Sequence, residues 1–388
     1  MYNLNKLVFF LASVLSVSTL TCTAQQAEPP LVIRFNKNVL NQEDETAKAV
    51  MTVWREFLTH YQEPFYDNPN WFASVDVPYP NYELFELGYS AEALQGKTAT
   101  ILGIYPVENE FWAIKTAFTK QKLDGYPIFN AITTVYLKKI QGKYYLFSQL
   151  QRYLSNCNTK TIGKLTFYVE KGAIFQEKQA KRLDSLNKKL AQEFQLPEYA
   201  TKIVAVKSVA TLYTDVLGYD FAPMMFPAVQ TGGFADRVNN ILLSANGSPF
   251  YAHELVHFYT AGLAGNKEQT NPFFDEGIAT LFGGSREKPL DWHWEKLKKY
   301  LQQHPEMRLD DLDKPSYAQT KSWDLPDGTY STDIRYTVAG VLSRTAYQKT
   351  GRKAFVTLLN SGDTNIYSTI QEIFGVEKAE LRAFLLSL

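Results

Sequence analysis

The chain has 388 residues, of which 45% are hydrophobic, 14% aromatic and 21% charged. That is globular composition with room for two domains, and it excludes a disordered or low-complexity chain. Forty Lys and Arg offset 40 Asp and Glu, so no basic excess supports binding to nucleic acid or to an anionic membrane.

Residues 1–24 read as an export signal: a short start bearing Lys6, an apolar run from Leu7 to Leu20, then a small-residue segment ending at Ala24. The run is too short to span a bilayer stably. Two fates are open for it, cleavage after Ala24 or lipid attachment at Cys22, with an uncut anchor as a third. Either of the first two places the mature chain outside the cytoplasm, in the periplasm, at the cell envelope or beyond. No second apolar run of bilayer length follows, so no transmembrane span is expected in the mature chain. After a cut at Ala24, Cys157 is the one remaining cysteine, and its Ser-Asn-Cys-Asn-Thr setting matches no cysteine-hydrolase signature.

Residues 25–40, rich in Gln, Ala and Pro, read as a tether. Ala47, Val50, Met51, Trp54, Phe57 and Leu58 then fall at three- and four-residue spacings, which predicts an amphipathic helix over 45–61. Four strand-like runs follow near 98–105, 110–119, 130–140 and 143–150, with a hairpin turn at Gln141-Gly142. A helix and a strand run make residues 41–156 an accessory α+β unit. Its order of elements resembles the cone-shaped fold of nuclear-transport-factor-like proteins.

The pattern relaxes around Asn156–Thr161, and residues 159–388 read as a second α+β domain. Strands are predicted near 164–170, 201–207 and 238–245, a charged helix near 174–195, and a turn at Gly232-Gly233. From Ser248 the rest reads as helix, ending in an amphipathic segment over Val376–Leu386. The polar boundary predicts that a fragment starting near Thr159 folds alone.

The chemistry is concentrated in Ser248-Pro-Phe-Tyr-Ala-His253-Glu254-Leu-Val-His257. Ser248 suits an N-cap and Pro249 the first helical position, so a helix is predicted to start there and carry both histidines. One turn apart on one face, His253 and His257 can ligate one Zn²⁺ ion, while Glu254 can reach a water and act as general base. A catalytic zinc takes a third protein ligand and leaves a fourth position open. Glu276 supplies it, separated from His257 by 18 residues, in Asn-Pro-Phe-Phe-Asp-Glu276-Gly-Ile-Ala, on a second helix. Position 263, where another class of zinc site carries a third histidine, is Leu. His293 and His304 fit no ligand spacing, and Asp275 is expected either to orient a histidine or, more simply, to face solvent.

These motifs resemble the gluzincin metallopeptidases of the thermolysin and aminopeptidase-N type: H-E-x-x-H, then a helix bearing E-G-x-A, here Glu276-Gly277-Ile278-Ala279. The resemblance covers roughly residues 159–388. It implies a zinc-activated attack on a peptide or protein substrate, with Glu254 shuttling the proton and an edge strand, entered at Gly232-Gly233-Phe234, pairing with extended substrate. It also implies a tyrosine that stabilises the oxyanion about 60 residues past the glutamate ligand, which is Tyr336, with Tyr330 as competitor. The aminopeptidase branch carries a glutamate that grips the free amine. Asp236 in the corresponding segment is not a safe substitute, which leaves endopeptidase and aminopeptidase both open. The alternative to an enzyme is a gluzincin-fold binding or scaffold protein with little or no turnover.

Overall fold

The computed structural model describes residues 30–388 apart from 37–38, 40–42, 62–67, 89–90, 122–124, 226–230, 266–269, 310–311, 313–321, 325–330 and 363–365. The export segment, Cys22 and Tyr330 lie outside the described residues. No helix among those described is long and apolar enough to cross a membrane.

The fold is α+β with two main sheets. In the first, β1 (Val32–Phe35), β2 (Lys97–Pro106), β3 (Trp112–Gln121), β4 (Pro127–Ile140) and β5 (Lys143–Phe147) lie in chain order. Asp44 caps the helix α1 (Glu45–Thr59) by accepting from the Ala47 amide. The predicted apolar stripe of α1 is buried, and the Trp54 indole donates to Thr116 Oγ1 of β3 at 3.0 Å. The fourth predicted strand stops earlier than its apolar pattern suggests. Ser148 and Gln151 form a reciprocal capping box that opens the helix α2 (Gln149–Ser155).

The second sheet has the order β10 (Gly233–Asp236), β11 (Ile241–Ser244), β8 (Lys202–Ala205), β7 (Leu165–Glu170), β6 (Cys157–Ile162). Its inner strands are apolar on both sides, and their two-residue period sends successive side chains to different cores. Phe167, Ile203 and Leu242 enter the core built with the helical half. Tyr168, Val204, Ile241 and Leu243 enter the core shared with α1 and the first sheet. The chain also crosses back: β9 (Tyr219–Phe221) pairs with the first sheet through β4.

The passage from the first sheet to the second occurs at residues 156–157, but the two halves share one core. That sharing bears directly on the expectation that 159–388 folds alone. Val204, Val216, Tyr219, Ile241 and Leu243 are fully buried in the shared core. Each contributes about 1.5–3 kcal/mol by burial, and together they are on the order of a whole domain's net stability. A fragment starting at Thr159 should be insoluble or unfolded, and the full chain should melt in one cooperative transition by calorimetry. A soluble fragment with a native-like melt would contradict the shared core.

The helical half consists of α3 (Glu177–Phe194), α4 (Ala252–Ala264), α5 (Pro272–Gly283), α6 (Leu290–Gln303), α7 (Ile334–Thr350), α8 (Arg352–Leu359), α9 (Ile366–Phe374) and α10 (Leu381–Ser387). The last predicted helix is shorter than expected at its start. Gly375 takes φ 69°, and a single 3-10 turn over Lys378–Glu380 precedes α10.

Candidate metal centre

The helix α4 starts three residues later than predicted. Asn246 Oδ1 accepts from the Ser248 amide, and the Ser248 carbonyl accepts from Ser244 Oγ. These bonds hold the segment before Tyr251 in a turn, so Tyr251 becomes the N-cap residue. His253 and His257 remain one turn apart on α4, with ring centroids 5.1 Å apart. The helix α5 has a well-defined start: Asn271 Oδ1 accepts from the amides of Phe273 and Phe274, and Pro272 occupies the first turn.

Glycines bring these helices close enough to share one centre. A Cβ at Gly277 would stand 2.5 Å from the Ala339 carbonyl carbon of α7, and one at Gly283 would stand 2.5 Å from the His253 Cα. Both neighbours are backbone, which cannot yield locally. Close crossing of α5 with α4 and α7 thus places Glu276, both histidines and Tyr336 around one cleft.

Glu276 Oε2 lies 3.0 Å from His253 Nε2 and 3.8 Å from His257 Nε2. Donors held about 2.0–2.1 Å from a tetrahedral cation stand about 3.3 Å from one another, and the two separations bracket that value. His253, Glu254 and His257 are all buried and offer ligand atoms within 4.8 Å of one another, a group that could hold a metal ion.

The other ring nitrogens are already assigned. His253 Nδ1 donates to the Gly284 carbonyl at 2.6 Å, and His257 Nδ1 donates to Asp275 Oδ1 at 3.0 Å. Carbonyl and carboxylate only accept, so in the neutral rings both Nε2 atoms keep a lone pair for a cation. Asp275 does not face solvent. It is buried, and it also accepts from Thr260 Oγ1, Arg237 Nη1 and Thr270 Oγ1.

Electrostatics follow from packing three carboxylates around two imidazoles. Burial alone would lower the His257 pKa, but the charges of Asp275 and Glu276 outweigh it and lift it to about 10. Burial works against the His253 imidazolium as well, and Glu276 again raises it. Burial pushes the Glu254 carboxyl up, with the histidines opposing. For Glu276, the His257 charge overcomes burial and holds it below the usual range.

The cleft has a volume of about 480 Å³. Its wall includes β10, which among the described residues pairs only with β11 and forms one edge of the second sheet. Gly233 is required there, because a Cβ would come within 2.0 Å of the Tyr251 ring and 2.8 Å of Glu254 Cγ. Tyr336 lines the cleft, its ring stacked near-parallel on His253 at 5.9 Å.

Other sequence candidates lie elsewhere. His293 is buried and bonds the Ser285 carbonyl, and His304 pairs with Glu306 at the surface. Burial raises the Cys157 thiol to about 11. Asp236 is fully buried away from the cleft, accepting from the Val238 amide and from the amide and side chain of Asn239. It is not available to a substrate amine.

Asp236 instead faces Glu83, from a 3-10 helix (Pro80–Leu87) of the N-terminal half. Among the described residues no donor reaches either Glu83 oxygen, so these two carboxyls can bond only while one holds a proton. Burial, then the Asp236 charge, raises the Glu83 pKa well above normal. An acid raised on folding retains its proton in the native state, so stability falls as pH rises above the ordinary glutamate range. Glu83→Gln supplies a permanent donor, and its melting temperature should fall less between pH 5 and pH 8 than that of the wild type. Parallel pH profiles would exclude the shared proton.

No protein-family model matches the chain, and no curated protein matches it in sequence. The site's own geometry therefore carries the functional argument.

Proposed function

We propose that the chain is an exported zinc-dependent metallopeptidase of the gluzincin type. One observation carries the reading: His253 Nε2, His257 Nε2 and Glu276 Oε2 converge beside Glu254, under a cleft walled by a sheet edge. Two imidazoles and one carboxylate suit zinc and leave a position open. When bound there, zinc would supply the Lewis acidity that acidifies water and polarises a carbonyl.

The protein's own residues perform the rest. An extended peptide adds to the free edge of β10 through main-chain hydrogen bonds, which aligns it without regard to sequence. Glu254, buried at the cleft floor, takes the proton of the attacking water and passes it to the leaving amine. Asp275 and the Gly284 carbonyl hold the imidazoles in one tautomer and orientation. The Tyr336 hydroxyl donates to the carbonyl oxygen as negative charge develops on it.

The test is hydrolysis of a fluorogenic peptide mixture by the purified chain. Activity should disappear with a chelator and return with zinc. Full activity in excess chelator would contradict the proposal, and zinc-loaded protein that cuts nothing would favour the scaffold alternative. Tyr336→Phe should lower kcat about 10²- to 10³-fold with zinc content unchanged, the cost of one oxyanion donor. Normal turnover in that variant would remove Tyr336 from the reaction.

A further inference from the structure

The helix α5 ends in a tight turn that the reaction above does not use. The Ser285 amide donates to the Lys288 carbonyl and the Lys288 amide to the Ser285 carbonyl, both at 2.9 Å, closing a two-residue loop. Its central residues, Arg286 and Glu287, take φ 47° and 61°. Loops of this kind favour Asn-Gly, because left-handed backbone is costly for residues with a side chain. Strain of this sort persists where the surroundings over-determine it, and it gathers at functional sites.

Here the surroundings do over-determine it. The carbonyl just before the loop, that of Gly284, accepts from His253, and the Ser285 carbonyl bonds His293 Nε2. The turn is thus pinned to the metal centre on one side and to α6 on the other. Arg286 is half-buried at the place where the cleft meets a second cavity of about 460 Å³, and it lines both together with Tyr251 and His253. The second cavity also carries Arg182 and Lys288 on its wall against a single carboxylate, Glu287. Its charge suits an anion, and it opens beside the reacting centre.

We propose that Arg286 determines substrate specificity by binding a carboxylate that the peptide carries close to the bond to be cut. This rests on the reading of the cleft as a peptidase site. Arg presents a planar fork of donors that matches a carboxylate in two parallel hydrogen bonds, and the pinned turn fixes the backbone from which that side chain reaches the cleft. The carboxylate comes either from an Asp or Glu side chain or from a free C terminus.

The experiment uses the zinc-loaded full chain and matched fluorogenic peptides, Glu against Gln at each position around the cut, with free or amidated C termini. The wild type should favour the carboxylate-bearing member of one pair by about 10- to 100-fold in kcat/KM, the range for a charge-assisted hydrogen bond. A Glu/Gln preference assigns the side chain, and a free/amide preference assigns the terminus. Arg286→Gln should erase that ratio, Arg286→Lys should retain part of it, and Arg286→Glu should invert it toward Lys-bearing peptides. Arg286→Gly removes the side chain while suiting the left-handed backbone, so it should keep the wild-type melting temperature and still lose the preference. An equal ratio in wild type and Arg286→Gln overturns the inference while hydrolysis itself upholds the peptidase. If no peptide is cut, binding of the same pairs to Glu254→Gln by fluorescence anisotropy decides, and equal affinity within pairs overturns it.

Discussion

Replacing Glu254 with Gln should abolish peptide hydrolysis while the protein keeps its metal and its fold. Gln fills the same volume and can still hydrogen-bond a water, but it cannot take a proton. General-base assistance is worth about 10²- to 10⁴-fold, so kcat should fall by at least two orders of magnitude. The residue lies at the floor of the cleft, buried, beside the Gly233 backbone that approaches it too closely for any Cβ. Because the ligand distances run through Glu276, metal content of Glu254→Gln should match the wild type. A variant that loses its metal would mean that Glu254 is itself a ligand, and one that turns over normally would move the base elsewhere.

The second large effect concerns the metal itself. His253→Ala, His257→Ala and Glu276→Ala should each fail to retain stoichiometric zinc after dialysis, since each leaves two protein donors where a catalytic site uses three. Binding to the native state alone stabilises it by about 4.1 kcal/mol at a ligand concentration 1,000 times Kd. The wild-type melting temperature should therefore rise on adding zinc, and those of the three variants should not. Apo protein of the ligand variants is expected to remain folded, because the surrounding core of Leu255, Val256, Ile278 and Ala279 does not depend on the metal. A zinc-induced rise of wild-type size in the His253→Ala and His257→Ala double variant would place the metal at another site.

The part of this centre that was legible in the sequence is the part set by local spacing. Four-residue spacing puts His253 and His257 on one helix face, and the segment around Glu276 reads as a second helix. Element type is likewise readable where periodicity is strong, as in α1 and in the hairpin of β4 and β5. What escaped is set by distant partners. For Asp275 the sequence leaves a histidine-orienting and a solvent-facing reading both open, and the choice is made by Arg237, Thr260 and Thr270, which converge on it from other segments. Arg286 carries no motif, and its position follows from a left-handed turn closed by its own backbone bonds and pinned by His253 and His293. The core shared by the two halves is hidden for a similar reason. An all-apolar strand such as Ile241–Ser244 is compatible with burial on both faces, but nothing local says that the N-terminal half supplies the second face. Strand β6 is polar along most of its length and exposed, so it lacks the alternation that identifies a strand.

The central claim, a peptidase whose base is Glu254, is tested most directly by mapping cleavage products by mass spectrometry. Zinc-loaded wild type and zinc-loaded Glu254→Gln are incubated side by side with one peptide library. New peptide termini are expected with the wild type, at sites bearing a nearby carboxylate, and none with the variant. Identical products from both proteins, or no products from a wild type holding one zinc per chain, would contradict it.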